Sequence, residues 1–335
     1  MNLSRNMEEK SHNKHFLSIE NLLNSFKVRL KFVRNFSDNT VKSYERDIRQ
    51  FFGYMAESCP DFDVKGITEE EILLYLHYLL KEKNAKKVSV NRKISSLRHF
   101  FQFLLKEKIV ELNPLADISL RKAEQKVPLF LNFDEIYALL QPDEAEKNLE
   151  KKYRDNAIIE LLYAAGLRVS ELISLDVEDV NFEESYIKIL GKGGKERIVI
   201  INQFSANKIK KYIGLRKPPV KEKVKRKYVI PLFTNLKGKR LSVRAVQMII
   251  KELSFKKGIN KKVTPHIIRH SFATHLLNSG MDIRMIQELL GHASLSTTQK
   301  YTHMGIGELI KTYDKSHPKA NEIGNTENKA WTINE

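Results

Sequence analysis

The sequence feature that most constrains the fold is a change of pattern near residue 115. Before it, apolar residues recur every three or four positions in four successive stretches, the spacing of helices with one buried face. The predicted helices cover residues 18–34, about 39–56, 68–80 and from Ser89 to Asn113-Pro114, the third opening with a Thr68–Glu71 capping box. Residues 115–128 are polar and follow no period, which indicates a linker. The sequence therefore predicts a four-helix domain followed by a second, larger domain.

After the linker, helical patterns surround a short pair of strands. Residues 186–190 and 197–201 are strand-like, and the glycine-rich residues 191–194 between them predict a hairpin turn. One predicted helix begins at Asn132, which has Glu135 at the third helical position. A second covers residues 154–165 and is ended by Gly166. Two later helices begin near Thr264-Pro265 and near Asp282. The second domain is therefore expected to be mainly helical, with a small sheet.

Basic residues are concentrated in this second domain. Residues 186–262 contain 23 Lys and Arg but only 3 Asp and Glu, whereas the net charge of the whole chain is +17. The densest part, Lys221 to Lys227, is expected to be a loop. Such a concentration of positive charge attracts polyanions, and DNA binding with release of counterions would suit it.

The partners and the compartment are constrained by what the sequence lacks. No stretch approaches the ~20 apolar residues of a membrane helix, so we expect no membrane partner. The N-terminus has no apolar signal-peptide core, and the single cysteine, Cys59, allows neither an internal disulfide nor a cysteine-based zinc site. We therefore expect a protein of the reducing cytoplasm, associated with the nucleoid.

Four short segments carry polar side chains at the ends of predicted elements. Arg168 lies in the joint between two helices, Lys192 lies in the glycine-rich turn, and His266 and Arg269 share one face of a helix capped by Thr264. The fourth segment contains His292 and Tyr301, which follow a helix ended by Gly291. Zinc at His266 and His270 is disfavoured, because no glutamate neighbours His266 and no third ligand is near.

Each of these residues alone has an ordinary structural explanation, but together they suit one chemistry. Arginine and lysine side chains can hold phosphoryl oxygens and stabilise a pentacoordinate transition state. A tyrosine can form a covalent phospho-enzyme. The combination therefore points to phosphoryl transfer on DNA.

The order and spacing of these motifs resemble the tyrosine recombinase family, and its Xer branch most of all, over about residues 18–320. The motifs are Gly-Leu-Arg-Val-Ser-Glu-Leu (166–172), Gly-Lys-Gly-Gly-Lys-Glu-Arg (191–197), His-Ile-Ile-Arg-His-Ser-Phe-Ala-Thr-His (266–275) and Leu-Leu-Gly-His followed by Lys-Tyr-Thr-His (289–303). The resemblance implies a mainly α fold. It comprises an N-terminal four-helix, SAM-like core-binding domain and a mixed α/β, mostly helical catalytic domain with a small three-stranded sheet.

The resemblance also implies a role for each catalytic residue. Tyr301 would attack the scissile phosphate to give a 3′-phosphotyrosyl link, while Arg168 and Arg269 hold the non-bridging oxygens. His292 would donate a further hydrogen bond, and His266 would accept the proton of Tyr301 or add stabilisation. Lys192 would be the general acid for the leaving 5′-oxygen. The covalent link conserves the bond energy, so neither ATP nor a metal nor another cofactor is expected.

The domains and partners follow from the same resemblance. The expected parts are an N-terminal extension (1–17), a core-binding domain (18–114), the linker (115–128), a catalytic domain (129–320) and a tail (321–335). DNA-contacting side chains are expected at Arg92, Lys93, Arg98, Lys195, Arg197 and Arg244. Two protomers would bind one partly palindromic site, and two sites would form a homotetramer.

The resemblance leaves the biological role open. Resolution of chromosome dimers at a dif-like site, with the DNA translocase FtsK as activator, is the expected role. The alternatives are an integrase of a mobile element, a type IB topoisomerase-like activity and a DNA-binding structural protein with an idle site. A stand-alone Xer protein, needing no second recombinase, resembles this sequence at least as well as one member of a pair.

Overall fold

The computed structural model describes residues 19–119, 129–191, 196–224 and 227–290 of the chain. The chain separates into two compact units, Met1–Val127 and Pro128–Glu335, and each is described by itself. None of the helices in these described ranges is both long and apolar enough to cross a lipid bilayer.

The first unit is built from four helices around an aromatic core. They are α1 (19–32), α2 (Asp38–Ser58), α3 (Glu69–Lys81) and α4 (Lys87–Lys106), with a 3₁₀ turn at Val64–Gly66. Phe51, Tyr75, Phe100 and Phe101 are fully buried where these helices meet, with ring edges packed against ring faces. The predicted capping box at the start of α3 is present, since Thr68 and Glu71 bond to each other's backbone amides.

The fourth helix ends earlier than the sequence predicted. We expected it to run from Ser89 to Asn113, but α4 begins at Lys87 and ends at Lys106. Lys108 adopts a left-handed backbone with a φ of 56°. The amides of Lys108 and Ile109 then donate to the carbonyls of Leu105 and Leu104, 3.1 and 2.9 Å away, which closes the helix in a Schellman motif.

Packed structure in the first unit continues past the expected start of the linker at residue 115. Leu115 and Ile118 are buried in its hydrophobic core. Arg98 on α4 holds this segment, since its guanidinium donates to the carbonyl oxygens of both residues.

The second unit is arranged around one central helix. Its helices are α5 (Phe133–Leu140), α6 (Leu149–Ala164), α7 (Val169–Ser174), α8 (Gln203–Leu215), α9 (Val243–Lys256), α10 (Pro265–Asn278) and α11 (Ile283–Leu290). α6 is buried on almost every side, because α5, α7, α8, α9 and α10 all pack against it. It begins at Leu149, earlier than the predicted 154, and Asn148 caps it.

Several predicted helix starts in this unit are confirmed. Asn132 and Glu135 form a capping box at the start of α5. The hydroxyl of Thr264 accepts a hydrogen bond from the Ile267 amide, and Pro265 occupies the first position of α10.

The predicted three-stranded sheet is present, and a second sheet was not predicted. Strands β1 (Val180–Asn181), β2 (Tyr186–Leu190) and β3 (Glu196–Ile200) lie in that order and are antiparallel. A separate antiparallel pair is formed by β4 (Glu222–Val224) and β5 (Lys227–Val229). The expectation of a loop is therefore wrong for residues 222–224 and 227, which lie in paired strands.

Candidate active site

Arg168 is placed by a sharp joint between α6 and α7. Gly166 makes the turn possible because its φ is +55°. A Cβ at this position would lie 2.6 Å from the Phe272 ring and 2.9 Å from the Leu290 side chain, so residue 166 has no room for a side chain. Arg168 is then the residue that precedes α7, and its side chain remains 42 % exposed.

Glu171 organises the arginines around this joint. Its carboxylate accepts the Arg168 backbone amide at 2.8 Å, which caps α7, and also the Arg168 guanidinium at 2.9 Å. Arg197 on β3 donates to both carboxylate oxygens at 2.9 Å, a bidentate pair. Both Glu171 and Arg197 are buried, so this ion pair connects the sheet to α7 away from water.

Arg269 approaches the same carboxylate from α10. Its guanidinium lies 3.9 Å from Glu171 and donates to the carbonyl oxygens of Gly166 and Leu290. These bonds connect α10 to the joint before α7 and to the end of α11. Arg269 is only 7 % exposed, and it is therefore held rigidly between three elements.

The cluster carries an excess of positive charge. Three guanidinium groups surround one carboxylate, which leaves a formal charge of +2. Burial raises the pKa of the Glu171 carboxyl, but the hydrogen bonds from Arg197 and from the Arg168 amide lower it by more than burial raises it. The pKa of Glu171 is therefore below that of an ordinary glutamate. Burial, together with the charges of Arg168 and Arg197, lowers the pKa of Arg269 to about 10, and the group stays protonated at neutral pH.

His266 lies in the first turn of α10 and is exposed. The predicted i, i+3 spacing places His266 and Arg269 on neighbouring parts of the helix, but only Arg269 is turned into the protein. His266 is therefore the solvent-facing member of the pair.

A third histidine on α10, for which the sequence predicted no role, holds that helix against its neighbours. His275 is buried, its Nδ1 lies 2.9 Å from the Tyr163 hydroxyl on α6, and its ring stacks on Phe133 with centroids 4.1 Å apart. Burial lowers the pKa of His275, which favours the neutral ring. The contact fixes α10, and with it Arg269, against α6 and α5.

Four of the predicted site residues lie outside the described residues: Lys192, Lys195, His292 and Tyr301. The chain attaches two of them to the cluster. Residues 191–195, which include Lys192, connect β2 to β3, and β3 carries Arg197. His292 follows two residues after Leu290, whose carbonyl oxygen binds Arg269.

The described residues predicted to contact DNA have different environments. Arg244 is exposed, and the side chain of Arg92 is 38 % exposed. Lys93 is buried, with its amine 3.1 Å from the fully buried Asp47, which also binds Arg92 and the Ser96 hydroxyl. The Arg98 guanidinium donates to main-chain carbonyls, and the Arg197 guanidinium donates to Glu171. Lys93, Arg98 and Arg197 thus have structural partners here. Arg92 also binds Asp47 but stays partly exposed, and Arg244 is exposed.

The Glu171–Arg197 pair gives a stability prediction. Arg197→Ala should destabilise the protein by about 3 kcal/mol, because it leaves a buried carboxylate short of its main partner. Adding Glu171→Gln should recover part of that loss, since the uncompensated charge is then removed. Free energies of unfolding from urea titrations measure both effects, and Lys188→Ala, on the exposed face of β2, is the control. Strictly additive losses in the double variant would contradict a coupled pair.

Comparison with known proteins matches both units of the chain. Residues 23–108 match the family model of the phage integrase N-terminal SAM-like domain, and residues 130–306 match that of the phage integrase family. The tyrosine recombinase XerC of Thermodesulfovibrio yellowstonii is 39 % identical over 310 residues, 91 % of this chain and 97 % of that protein. The tyrosine recombinase XerD of Oceanobacillus iheyensis is 40 % identical over 291 residues, 87 % of this chain and 96 % of that protein.

A solved structure agrees with these relatives. The site-specific recombinase XerH, bound to a palindromic difH substrate in a post-cleavage complex, is 26 % identical with a TM-score of 0.63, covering 83 % of this chain and 80 % of that one. The two matched domains and the arginine cluster define an enzyme that cuts and rejoins DNA strands. The chain belongs to the phage integrase family of tyrosine recombinases and is similar to its Xer members. Its mostly helical fold, with a SAM-like domain and a catalytic domain, is the one that the sequence predicted.

Proposed function

We propose that the cluster around Glu171 holds the scissile phosphate, and that Tyr301 attacks it. The observation that carries this proposal is the convergence of Arg168, Arg197 and Arg269 on one buried carboxylate, which leaves a net charge of +2. A phosphodiester carries one negative charge, and the pentacoordinate state formed by attack carries two. Positive charge fixed before the reaction therefore stabilises the transition state more than the substrate.

The two arginines would divide this work. Arg168 is partly exposed, so its remaining donors can reach a non-bridging oxygen. Arg269 is buried and locked by two carbonyls, so it supplies charge at a fixed position. Lys192 would protonate the leaving 5′-oxygen, His292 would donate to the phosphate, and His266 would take the tyrosine proton. Each step moves a proton or a phosphoryl group between groups of the protein and the DNA.

We also propose that the biological substrate is a dif-like chromosomal site, at which the enzyme resolves chromosome dimers during segregation and cell division. Relatives at about 40 % identity have Xer names, and XerH was solved on palindromic difH DNA. These relatives include both XerC and XerD proteins, so neither member of a pair is favoured for this chain. Two protomers on each site, and a homotetramer on two sites, would complete the reaction.

The experiment is cleavage of a defined site by the purified protein alone. The host chromosome is searched for inverted repeats of roughly 28–40 bp, a length that fits two protomers. Nicked versions of each repeat trap the covalent protein–DNA adduct. Recombination between two identical repeats supports a stand-alone Xer enzyme, and addition of the DNA translocase FtsK should raise its rate. Recombination only between unlike sites would instead support a mobile-element integrase, and relaxation of DNA without any preferred site would support a topoisomerase.

A further inference from the structure

The segment 207–227 has a charge composition unlike the rest of the chain. It contains ten Lys and Arg and a single acidic residue, Glu222. The end of this segment and the two residues that follow it form the paired strands β4 and β5 instead of a loop. A regular hairpin gives its side chains fixed directions, and it separates them onto two faces.

The outer face of the hairpin is basic and exposed. Lys223 and Tyr228 lie directly opposite each other in the antiparallel register, so both side chains are on the same face. Tyr228 is 64 % exposed and Lys223 is exposed, as is Lys221 two residues earlier. We call these three residues the hairpin face. Lysine amines and a tyrosine hydroxyl are groups that commonly donate to DNA phosphates.

The other face of the hairpin is fixed to the body of the second unit. Glu222, one position away from Lys223, accepts a hydrogen bond from Arg240 at 2.7 Å. Arg240 also donates to the carbonyl oxygens of Ile173 and Leu175, 2.9 and 3.0 Å away. The chain before the hairpin is held as well, since the Val220 amide donates to the Gly238 carbonyl at 2.8 Å. Glu222, the only acidic residue of the segment, is therefore paired with Arg240 and fixes the hairpin to the second unit.

These anchors place the base of the hairpin near the end of α7, the helix that begins after Arg168. The carbonyls that Arg240 binds are at the end of α7, and α7 begins directly after Arg168. Six helical residues span about 9 Å, so the base of the hairpin is about one short helix away from that arginine. DNA held at Arg168 continues past the cleaved phosphate, and its next phosphates are within range of a positively charged surface at this distance.

We infer that the hairpin face is an additional DNA-backbone contact, which grips duplex phosphates beside the cleavage position. This rests on the proposed role of Arg168 at the scissile phosphate. The contact is independent of base sequence, because it is made by lysines and a tyrosine to phosphates. It adds affinity and holds the register of the duplex without taking part in the chemistry.

The test is the salt dependence of DNA binding by full-length variants. In Lys221→Gln/Lys223→Gln, the slope of log Kd against log salt should shrink by about 1–2, and affinity near 0.15 M salt should fall roughly 10- to 30-fold. The matched control is Lys147→Gln/Lys251→Gln, which removes two exposed lysines from a surface rich in carboxylates. The control should leave the slope unchanged. An unchanged slope in the hairpin variant would overturn the inference.

A second variant distinguishes a DNA contact made by a hairpin held in a fixed position from a general effect of net positive charge. Glu222→Ala removes a negative charge, so a diffuse effect of charge predicts tighter DNA binding. An anchored hairpin predicts weaker binding, because the hairpin face loses its fixed position. Thermal unfolding close to that of the parent protein verifies that the fold is kept, and tighter binding would overturn the inference. Covalent cleavage at saturating DNA should persist in every hairpin variant, whereas failure of the proposed active site would abolish cleavage in the parent protein itself.

Discussion

Replacing Tyr301 with phenylalanine is expected to abolish covalent attachment to DNA while leaving DNA affinity unchanged. The substitution removes only the phenolic oxygen, which is the proposed nucleophile. The groups that hold the phosphate, Arg168 and Arg269, keep their contacts with Glu171 and with the main chain. A nicked substrate traps the adduct, and a denaturing gel separates it from free DNA.

The control for this prediction is the one other tyrosine that follows His292. Tyr313→Phe should form the adduct at the rate of the parent protein. An adduct in Tyr301→Phe would show that the nucleophile is a different residue, and Tyr313 would be tested next. Loss of DNA binding in Tyr301→Phe would show that the phenol also contributes to binding.

Features that depend on a few neighbouring residues could be predicted from the sequence. The capping boxes at Thr68 and Asn132 need only two side chains three positions apart, and both are present. The joint at Gly166 also has a local cause, since glycine tolerates a positive φ. The end of α4 could not be predicted from neighbouring residues in this way. Lys108 adopts the left-handed conformation without being a glycine, and no local pattern signals that.

Features that depend on distant partners could not be predicted. Lys93 was predicted to contact DNA, but its amine is buried beside Asp47, 46 positions away in the chain. Arg197 was predicted to contact DNA, and the structure shows that its guanidinium also pairs with Glu171, 26 positions away. In each case a buried carboxylate needs a cation, and only the fold determines which cation meets it.

The arginine cluster explains why one acidic residue belongs in a site for an anion. Without Glu171, three guanidinium groups would repel one another in a buried space. With it, Arg197 and the carboxylate neutralise each other, and the excess charge remains on Arg168 and Arg269. Glu171 also fixes the Arg168 backbone through its amide. The carboxylate therefore positions the arginines for the proposed phosphate binding.

Lys192→Ala should lower the rate of cleavage by roughly 10²- to 10⁴-fold, the usual effect of removing a general acid. The departing 5′-oxygen is an alkoxide, which leaves poorly unless it receives a proton. Lys192 is in the connection between β2 and β3, and β3 is fixed beside Arg168 through the Arg197–Glu171 pair. The glycines on either side of it, Gly191 and Gly193, allow the main chain of this connection to approach DNA closely.

A sulfur substitution at the bridging 5′ position separates this role from that of Arg168. A thiolate leaves without a proton, so the sulfur substrate should restore most of the rate lost in Lys192→Ala. It should not rescue Arg168→Ala, because that arginine acts on charge at the non-bridging oxygens, which the sulfur leaves in place. Single-turnover cleavage of the two substrates by the two variants gives the four rates. Equal rescue of both variants would contradict the assignment of Lys192 as the general acid. Weaker DNA binding without rescue in Lys192→Ala would show that this lysine only contacts the DNA backbone. Selective rescue of Lys192→Ala is the expected result, since a lysine ammonium can release a proton to the leaving oxygen whereas an arginine guanidinium stays protonated.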